Sequence, residues 1–518
     1  MFVTPPLPAH SAPTPALAAQ AEAAATEAPL VVQSHGLRYT VNGNTLLAPR
    51  EVQVALQGAT TPEQAIAALR RAYTDKGYFL VAVVAGVQGQ DVRVSITQGR
   101  LAHVQGPHDL AVYFEGLLGR DTVRNAEVVR RGLLAQAYAA TNNEQPKISF
   151  LPAAESGAST LQIAAVPLQH SHTASGSLTV GNLGNRYAGR DLVQLQGQLQ
   201  HRGYTLQASH SRALTGLDED SRGAYFAATG ATLSKITPAG WFQLDGNATR
   251  YRLGVAFAPL DPGGMVKVFG VAATQLLFAD DARRWTLGEG LHRVHDRETV
   301  FDGAYALRDQ RYDVLDLTTQ ASWRVPGLAG RPASLSAGGG FKLGGLGGAE
   351  GFSQGPGMPK EHFRVYTARA GIDQPLAAGY SAQLDLTAQT TPDTLPSYEQ
   401  WILGGSNALS AWLPGTLVGD RGYLGRFTLQ APAWPLGALK LRAGVFAEHG
   451  AARYHYVPAG GPAWQRLADA GVSLNLDLPR LDAHAMLSYA HPLGQSNVPA
   501  DLRRRQRAHA FFYLQLGL

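Results

Sequence analysis

The chain reads Val-Gln-Leu-Gln-Gly-Gln-Leu-Gln at residues 193–200, Tyr-Ser-Ala-Gln-Leu-Asp-Leu-Thr-Ala-Gln at residues 380–389 and Val-Ser-Leu-Asn-Leu-Asp-Leu at residues 472–478. Apolar and polar residues alternate in all three stretches. Because successive side chains of a β-strand point to opposite faces of the sheet, this period predicts strands with one apolar face and one polar face. Such strands suit a barrel that has lipid outside and water inside.

Comparable segments repeat through the second part of the chain. We count about 16 of them between residues 168 and 518, and an even number suits an antiparallel barrel. The connections alternate between short and long, as in outer-membrane barrels with short periplasmic turns. Long connections include 183–190, 293–312 and 391–419, and short ones include 201–203 and 479–480. The sequence therefore predicts a mainly β protein with a 16-stranded antiparallel transmembrane β-barrel.

The composition agrees with a β-rich membrane protein. Glycine supplies 58 of the 518 residues, and charged residues make up only 16%, where about 25% is usual. The longest uninterrupted apolar stretch, residues 79–87, is nine residues long, whereas a membrane-spanning helix needs about 20. A helical membrane protein is therefore excluded. The chain has no cysteine, which also excludes disulfides and thiolate chemistry.

Two other protein classes deserve comparison with the barrel. A soluble multi-stranded β protein would also show alternation, but its apolar faces would pack inward and its many polar faces would need another explanation. The net charge of +5 could suggest nucleic acid, yet the basic residues are spread along the chain apart from the cluster at 503–507. We therefore predict no nucleic-acid partner.

Residues 37–167 differ from the barrel region. A strand pattern at residues 37–47 is followed by a short helical stretch at 49–56 and by Thr61-Pro-Glu-Gln64, a capping box with proline at the first helical position. Two further strand patterns give a β-α-α-β-β order over residues 37–100, and a similar order recurs over residues 101–167. Residues 1–36 are expected to be a leader or linker, or the remainder of a signal peptide.

These two segments resemble polypeptide-transport-associated (POTRA) domains. The resemblance rests on Val41-Asn-Gly-Asn-Thr45, Tyr73-Thr-Asp-Lys-Gly-Tyr78 and Ile96-Thr-Gln-Gly-Arg-Leu101, and on the spacing between them. Domains of this kind offer sheet edges to which an extended client can add a strand. The alternative is that they are packed spacers.

Two POTRA-like domains before a barrel resemble the two-partner secretion transporters, the haemolysin-activator and filamentous-haemagglutinin exporter family. Residues 181–189, Gly-Asn-Leu-Gly-Asn-Arg-Tyr-Ala-Gly, look like its first-hairpin motif, and Phe446-Ala-Glu-His-Gly450 resembles its F-x-D-x-G barrel-wall motif. The resemblance implies an outer-membrane translocator with periplasmic N-terminal domains, which exports an unfolded exoprotein through its barrel. Its partners would be that exoprotein and outer-membrane lipid, and we expect a monomer. A barrel-assembly insertase and a passive porin are the alternatives.

The resemblance also implies a long loop that folds back into the pore. The two ends of this loop in the family are similar to Leu403-Gly404-Gly405 and Gly419-Asp420 of this chain. At the loop tip the family's V-R-G-Y/F falls on Leu409-Ser410-Ala411-Trp412, so the arginine is missing. In the family this arginine pairs with the acid of the barrel-wall motif, here Glu448. The predicted transport-loop residues are Leu403, Gly404, Gly405, Leu409, Ser410, Ala411, Trp412, Gly419 and Asp420, and the predicted wall residues are Arg442, Phe446, Glu448 and Gly450.

Without the loop arginine, another contact must hold the loop. Lys440 and Arg442 share the lumenal strand face with Glu448 in the predicted pattern, and Arg421 is an alternative partner that follows the loop. The loop itself is rich in large apolar residues that would be poorly placed in water. We therefore expect Trp412 to hold the loop more strongly than charge does.

Motifs for catalysis are lacking in the sequence. Neither the zinc-protease, nucleophile-elbow and phosphate-loop motifs nor a dinucleotide fingerprint occurs in a suitable strand-to-helix context. The histidines lack metal-ligand spacing. We therefore expect no catalytic residue, no metal and no cofactor, and a protein that is not an enzyme.

Overall fold

The structure is a computed structural model that describes residues 29–120, 122–155, 157–168, 173–217, 221–457 and 464–518. Contacts divide the chain into two units, residues 1–171 with 278–281, and residues 172–277 with 282–518. In the part of the chain that the structure describes, no helix combines the length and apolar character needed to cross a membrane.

The first unit begins with a four-stranded sheet in the order β1-β2-β4-β3. Strand β1 pairs with β2, so residues 30–34, which the sequence analysis placed in the leader, belong to this sheet. The order along the chain is thus β-β-α-α-β-β, with one strand more than the pattern predicted. The elements are β1 (Leu30–Ser34), β2 (Leu37–Asn42), α1 (Pro49–Gln57), α2 (Pro62–Asp75), β3 (Val81–Gln88) and β4 (Asp91–Gln98).

Helix α2 starts at the predicted cap, where the Thr61 hydroxyl accepts a hydrogen bond from the backbone N–H of Gln64. One face of the helix is buried against the sheet. From this face the Tyr73 hydroxyl donates to the Asn44 side chain at 2.6 Å, and burial raises the pKa of Tyr73, so the hydroxyl keeps its proton. Gly43 approaches Ile96 so closely that a Cβ would lie 2.2 Å from its carbonyl oxygen. The three POTRA-like motifs therefore meet in one core.

A second, three-stranded sheet follows in the order β5-β7-β6. Strand β5 runs parallel to β7, and β6 runs antiparallel to it. Helix α4 packs on this sheet through an apolar face. The elements are β5 (Arg100–Gln105), α3 (His108–Ala111), α4 (Asn125–Ala140), β6 (Glu144–Pro152) and β7 (Ala158–Pro167).

The second unit contains a closed antiparallel barrel with 16 strand positions, as predicted, because β21 and β22 both pair with β23 and share one position. Strand β26 pairs with β8 and closes the wall. Strands β19 and β20 form a separate hairpin. The strands are β8 (Ala174–Gly181), β9 (Leu192–His201), β10 (Tyr204–Ala213), β11 (Tyr225–Thr237), β12 (Gly240–Arg252), β13 (Gly263–Ala279), β14 (Arg283–Val300), β15 (Tyr305–Val325), β16 (Ala333–Glu350), β17 (Arg364–Pro375), β18 (Ser381–Thr390), β19 (Trp401–Leu403), β20 (Leu417–Gly419), β21 (Arg421–Gln430), β22 (Trp434–Leu436), β23 (Leu439–Arg453), β24 (Gln465–Leu478), β25 (Ala483–Ser496) and β26 (Ala510–Gly517), and helix α5 (Ala500–Arg505) precedes the last strand.

The two faces of the wall differ as the alternation predicted. Leu199 and Phe269 are 56% and 63% exposed on the outer face, whereas Gln196 and Gln198 line an interior cavity. Large apolar side chains on the outside of a closed barrel match lipid rather than water. The soluble alternative is therefore wrong, because its apolar faces would have been packed inward.

One predicted long connection is wrong. Residues 293–312 are mostly strand, because β14 continues to Val300 and β15 begins at Tyr305. This hairpin contains five pairs of opposite charge instead of a loop, among them Arg293 with Asp313 at 2.7 Å. Cross-strand pairs of opposite charge stabilise the ladder here.

Candidate functional site

The connection between β18 and β21, residues 391–420, folds against the inner face of the barrel wall. Its hairpin β19–β20 pairs Leu403 with Leu417 and Trp401 with Gly419. Leu403, Leu409 and Trp412 are each no more than 2% exposed. The loop therefore buries these three residues inside the barrel, whereas Ile402 of β19 is 56% exposed.

The first part of the loop is anchored to strands β14, β15 and β16. The Glu399 carboxylate is almost fully buried and pairs with Lys342 of β16 at 2.9 Å, while His292 of β14 lies 3.8 Å away. Leu395 packs beside the buried rings of Tyr312 and Phe363. A buried carboxylate is costly unless it is paired, so Glu399 and Lys342 fix this segment to one side of the lumen.

A tight turn then orients the loop tip. Gly404 and Gly405 have φ values of +114° and +98°, a region that favours glycine. Their N–H groups donate to the carbonyls of Ala408 and Trp412, both at 2.7 Å. These bonds use the carbonyl groups within the tip and leave the N–H groups of Ser410 and Ala411 directed at the wall.

Two carboxylates on neighbouring wall strands receive those N–H groups. Ser410 N donates to Glu448 Oε2 of β23 at 2.6 Å, and Ala411 N donates to Asp469 Oδ2 of β24 at 2.8 Å. Glu448 and Asp469 stand directly opposite each other in the strand register and are 2% and 0% exposed. The loop tip therefore contacts the wall through these backbone groups, and the Ser410 hydroxyl also accepts hydrogen bonds from Asn407 N at 3.2 Å and from Arg426 Nη1 at 3.5 Å.

The cation of this site comes from the wall. Arg426 of β21 stands opposite Glu448 in the register and forms an ion pair with its Oε1. Its guanidinium also lies 4.3 Å from the centre of the Phe446 ring, within range of a cation–π interaction. We call Arg426, Glu448 and Asp469, with the N–H groups of Ser410 and Ala411, the loop latch.

The partners suggested from the sequence are wrong. Arg442 lies six residues from Glu448 along β23, which corresponds to about 20 Å, and it stands opposite Asn475. Lys440 is two residues further away. Arg421 donates instead to the Thr391 carbonyl at 2.7 Å and contacts His455. Of the predicted wall residues, Phe446, Glu448 and Gly450 lie at the site and Arg442 does not.

Apolar packing surrounds the loop latch. Trp412 lies in a buried cluster with the wall residue Phe446, and a Cβ on Gly450 would approach Leu403 and Leu409 to 2.9 and 3.1 Å. The glycine thus lets the loop lie close to the wall. The cluster also contains Ala411, Leu417, Ala452, Leu467, Ala490 and Val498.

The loop tip also pairs with the segment that precedes β26. Leu413 N donates to the Gln506 carbonyl at 2.8 Å, and Ala508 N donates to the Ala411 carbonyl at 2.9 Å. At the end of the loop, the fully buried Asp420 accepts hydrogen bonds from the N–H groups of Leu395 and His455. Asp420 therefore ties the exit of the loop to its entry.

Sequence reasoning missed Arg426, Asp469, Glu399 and Lys342. Each of the three wall residues lies on an alternating strand, at a position whose parity places it on the polar face. That signal identifies lumenal charges, but it does not show which of them meet across the barrel or beneath the loop.

Comparisons with known proteins agree with this architecture. Residues 157–476 match the model of the haemolysin secretion/activation proteins ShlB/FhaC/HecB. CdiB from Escherichia coli has a similar structure, with a TM-score of 0.75 at 16% identity over 96% of this chain and 92% of that chain. CdiB from Acinetobacter baumannii gives 0.67 at 13% identity, over 98% and 94%. No curated protein matches the chain in sequence.

Proposed function

Because the chain belongs to the ShlB/FhaC/HecB family of haemolysin secretion/activation proteins and is a two-partner secretion outer-membrane transporter, we propose that its N-terminal domains capture an unfolded exoprotein in the periplasm for export through the barrel. The observation that carries this proposal is a closed barrel whose longest loop is latched inside it. A latched loop allows the pore to stay narrow until a client arrives.

The loop latch is well suited to reversible closure. It consists of two backbone hydrogen bonds and one ion pair, and a small apolar cluster surrounds it. Interactions of this kind form and break without covalent chemistry, and water in an opened lumen could solvate the three charged groups. We propose that the predicted loop and wall residues act by holding or releasing the loop.

The N-terminal domains supply sheet edges for capture. Strands β1 and β3 are the outer strands of the first sheet, and β5 and β6 are the outer strands of the second. Apolar side chains on or next to these edges are exposed, including Val31, Val87 and Leu151 at 44%, 53% and 44%. An extended client could add a strand there through main-chain hydrogen bonds, which do not depend on its sequence.

The membrane setting follows from the same architecture. The apolar outer face of the barrel would contact outer-membrane lipid, and short turns such as 202–203 would face the periplasm together with the N-terminal domains. One chain closes the whole wall, so we propose that the transporter acts as a monomer. The family is a protein-transporter family rather than an enzyme family.

Deleting residues 30–167 tests the proposal. The deletion starts at 30 because β1 belongs to the first sheet. The truncated chain should insert as a heat-modifiable barrel with the ion conductance of the full chain, but it should not release a co-expressed exoprotein client into the medium. Capture and conduction lie in different segments, so one can be lost without the other.

The control is the full chain expressed at the same level in the outer membrane. Secretion by the truncated barrel at the level of the full chain would refute capture by the N-terminal domains. Free passage of unrelated small solutes through the full chain, with no exoprotein released, would instead indicate a passive porin.

A further inference from the structure

A polar cavity of about 850 Å³ lies inside the barrel, away from the loop latch. Strands β8 to β12 form most of its wall, and strands β24 to β26 complete it. Its lining residues, as far as the described residues show, belong to these strands or to the turn after β24, and none belongs to the loop at 391–420. Within the described residues, the loop at 391–420 therefore does not line this part of the lumen.

Amides and hydroxyls cover the wall formed by β8 to β12, which we call the amide wall. Ser177, Gln196 and Ser209 stand side by side in the strand register, and Gln198 and Gln207 do so in the next row. The Gln207 amide donates to the Gln198 carbonyl oxygen at 2.9 Å. Among the lining residues of β8 to β12, Asp245 is the one with a charge.

The side of the lumen formed by β21 to β24 has a different chemistry, and its charged residues begin within the cavity at Asp477 of β24, with Asp482 and His484 close by in the lining. Strands β21 to β24 carry Arg426, Glu448 and Asp469, which are the three charged residues of the loop latch. Strand β23 adds Lys440 and Arg442 on the same lumenal face. A client passing there would meet strong charges and the apolar residues of the loop, both of which would slow it.

We propose that the exported polypeptide moves along the amide wall. The inference rests on the proposed transport function and adds the route that the polypeptide takes through the barrel. An unfolded chain presents backbone N–H and C=O groups at every residue, and Gln and Ser side chains can both donate and accept hydrogen bonds. Each such bond in a water-filled lumen competes with water and is individually weak. Clients of different sequence can therefore be held near the wall and still slide.

The absence of cysteine from the chain makes the route testable in the full-length protein. Thr232→Cys places a unique thiol on the amide wall, and Thr387→Cys is the matched control. Thr387 lies on β18, two residues from Asp385, which stands opposite Arg426 in the register and so shares its lumenal face. Both threonines are partly exposed. Ser209→Cys provides a second, independent position on the amide wall.

The probe is a synthetic, unfolded Gly/Ser/Asn-rich peptide of about 40 residues with one activated cysteine, long enough to span the lumen when extended. It is added to the full chain in planar bilayers while current blocks and disulfide trapping are measured. A small methanethiosulfonate reagent calibrates the reactivity of each thiol. After this correction, trapping should be about tenfold faster at Thr232→Cys and Ser209→Cys than at Thr387→Cys, because the local peptide concentration is higher at the amide wall.

The outcomes separate the route from the function. Current blocks with equal trapping at all three positions, or with faster trapping at Thr387→Cys, would overturn the route and leave transport intact. A peptide that neither blocks current nor becomes trapped at any position would overturn both proposals.

Discussion

Replacing Arg426 with glutamine should release the loop more readily than replacing Glu448. The substitution removes the guanidinium that pairs with Glu448, which stands opposite Asp469 of the next strand. Glu448 and Asp469 would then lie opposite each other, 2% and 0% exposed, with no latch cation beside them. In the released state water can solvate both groups, so the substitution penalises the latched state specifically.

The expected change in the released fraction follows from the burial of the Arg426–Glu448 ion pair. Removing one partner of a buried ion pair costs about 3–5 kcal/mol, which corresponds to roughly a 150- to 4,000-fold rise in the released fraction. Glu448→Gln keeps an oxygen that can accept the Ser410 N–H and relieves repulsion with Asp469. It also breaks the ion pair with Arg426, but the Asp469 carboxylate on the next strand still interacts with that guanidinium, so we expect a smaller loss of about 1–2 kcal/mol, or about five- to thirtyfold. The double variant with Arg426→Gln and Glu448→Gln should recover most of the free energy that Arg426→Gln alone takes from the latched state.

Single-channel recordings of the full chain measure the fraction of time spent at high conductance. Lys440→Gln is the matched control, because it removes a lumenal cation from β23 that does not contact Glu448. We expect the effect of Arg426→Gln to exceed those of Glu448→Gln and Lys440→Gln. The reasoning would be refuted if Arg426→Gln matched Lys440→Gln, or if the double variant showed the sum of the two single effects.

Three further perturbations test the remaining contacts of the loop. Trp412→Ala empties a fully buried site, costs about 3–5 kcal/mol, and should raise the high-conductance fraction equally at low and high salt; a strong salt dependence would contradict packing as the cause. Deleting residues 406–416 should give a permanently higher conductance with the barrel still heat-modifiable, and an unchanged conductance would mean that this segment does not obstruct the pore. Glu399→Gln leaves Lys342 without its partner at a cost of about 1–3 kcal/mol. Amide hydrogen exchange should then rise at residues 393–400 and not at 408–412, whereas a rise at both would show that the two anchors are one cooperative unit.

The expected dominance of Trp412 over charge rested on the missing loop arginine. The sequence shows Ser410 at that position, and a single residue in a motif cannot reveal that another strand supplies the charge. Arg426 is 22 residues from Glu448 in the chain, yet the hairpin register sets them side by side. We therefore expect the packing of Trp412 and the Arg426–Glu448 ion pair to contribute comparably to the free energy that holds the loop against the wall.

Local patterns by themselves determined the barrel, its strand number and the α+β character of the N-terminal segment. Alternation with period two requires only that lipid and water lie on opposite faces, and the capping signals at Thr61 act within one helical turn. The same parity placed Phe446 and Glu448 on the lumenal face.

Only the tertiary structure decided which lumenal groups meet. Closure of the wall and the return of the loop bring Ser410, Arg426, Glu448 and Asp469 together, and they place Glu399 beside Lys342 of a distant strand. Alternation reports the face of each residue but not its partner, because strand register and loop path depend on the whole barrel. Strand propensity likewise did not show that the charged residues at 293–312 pair across a hairpin, since opposite charges stabilise a ladder only once the register has aligned them.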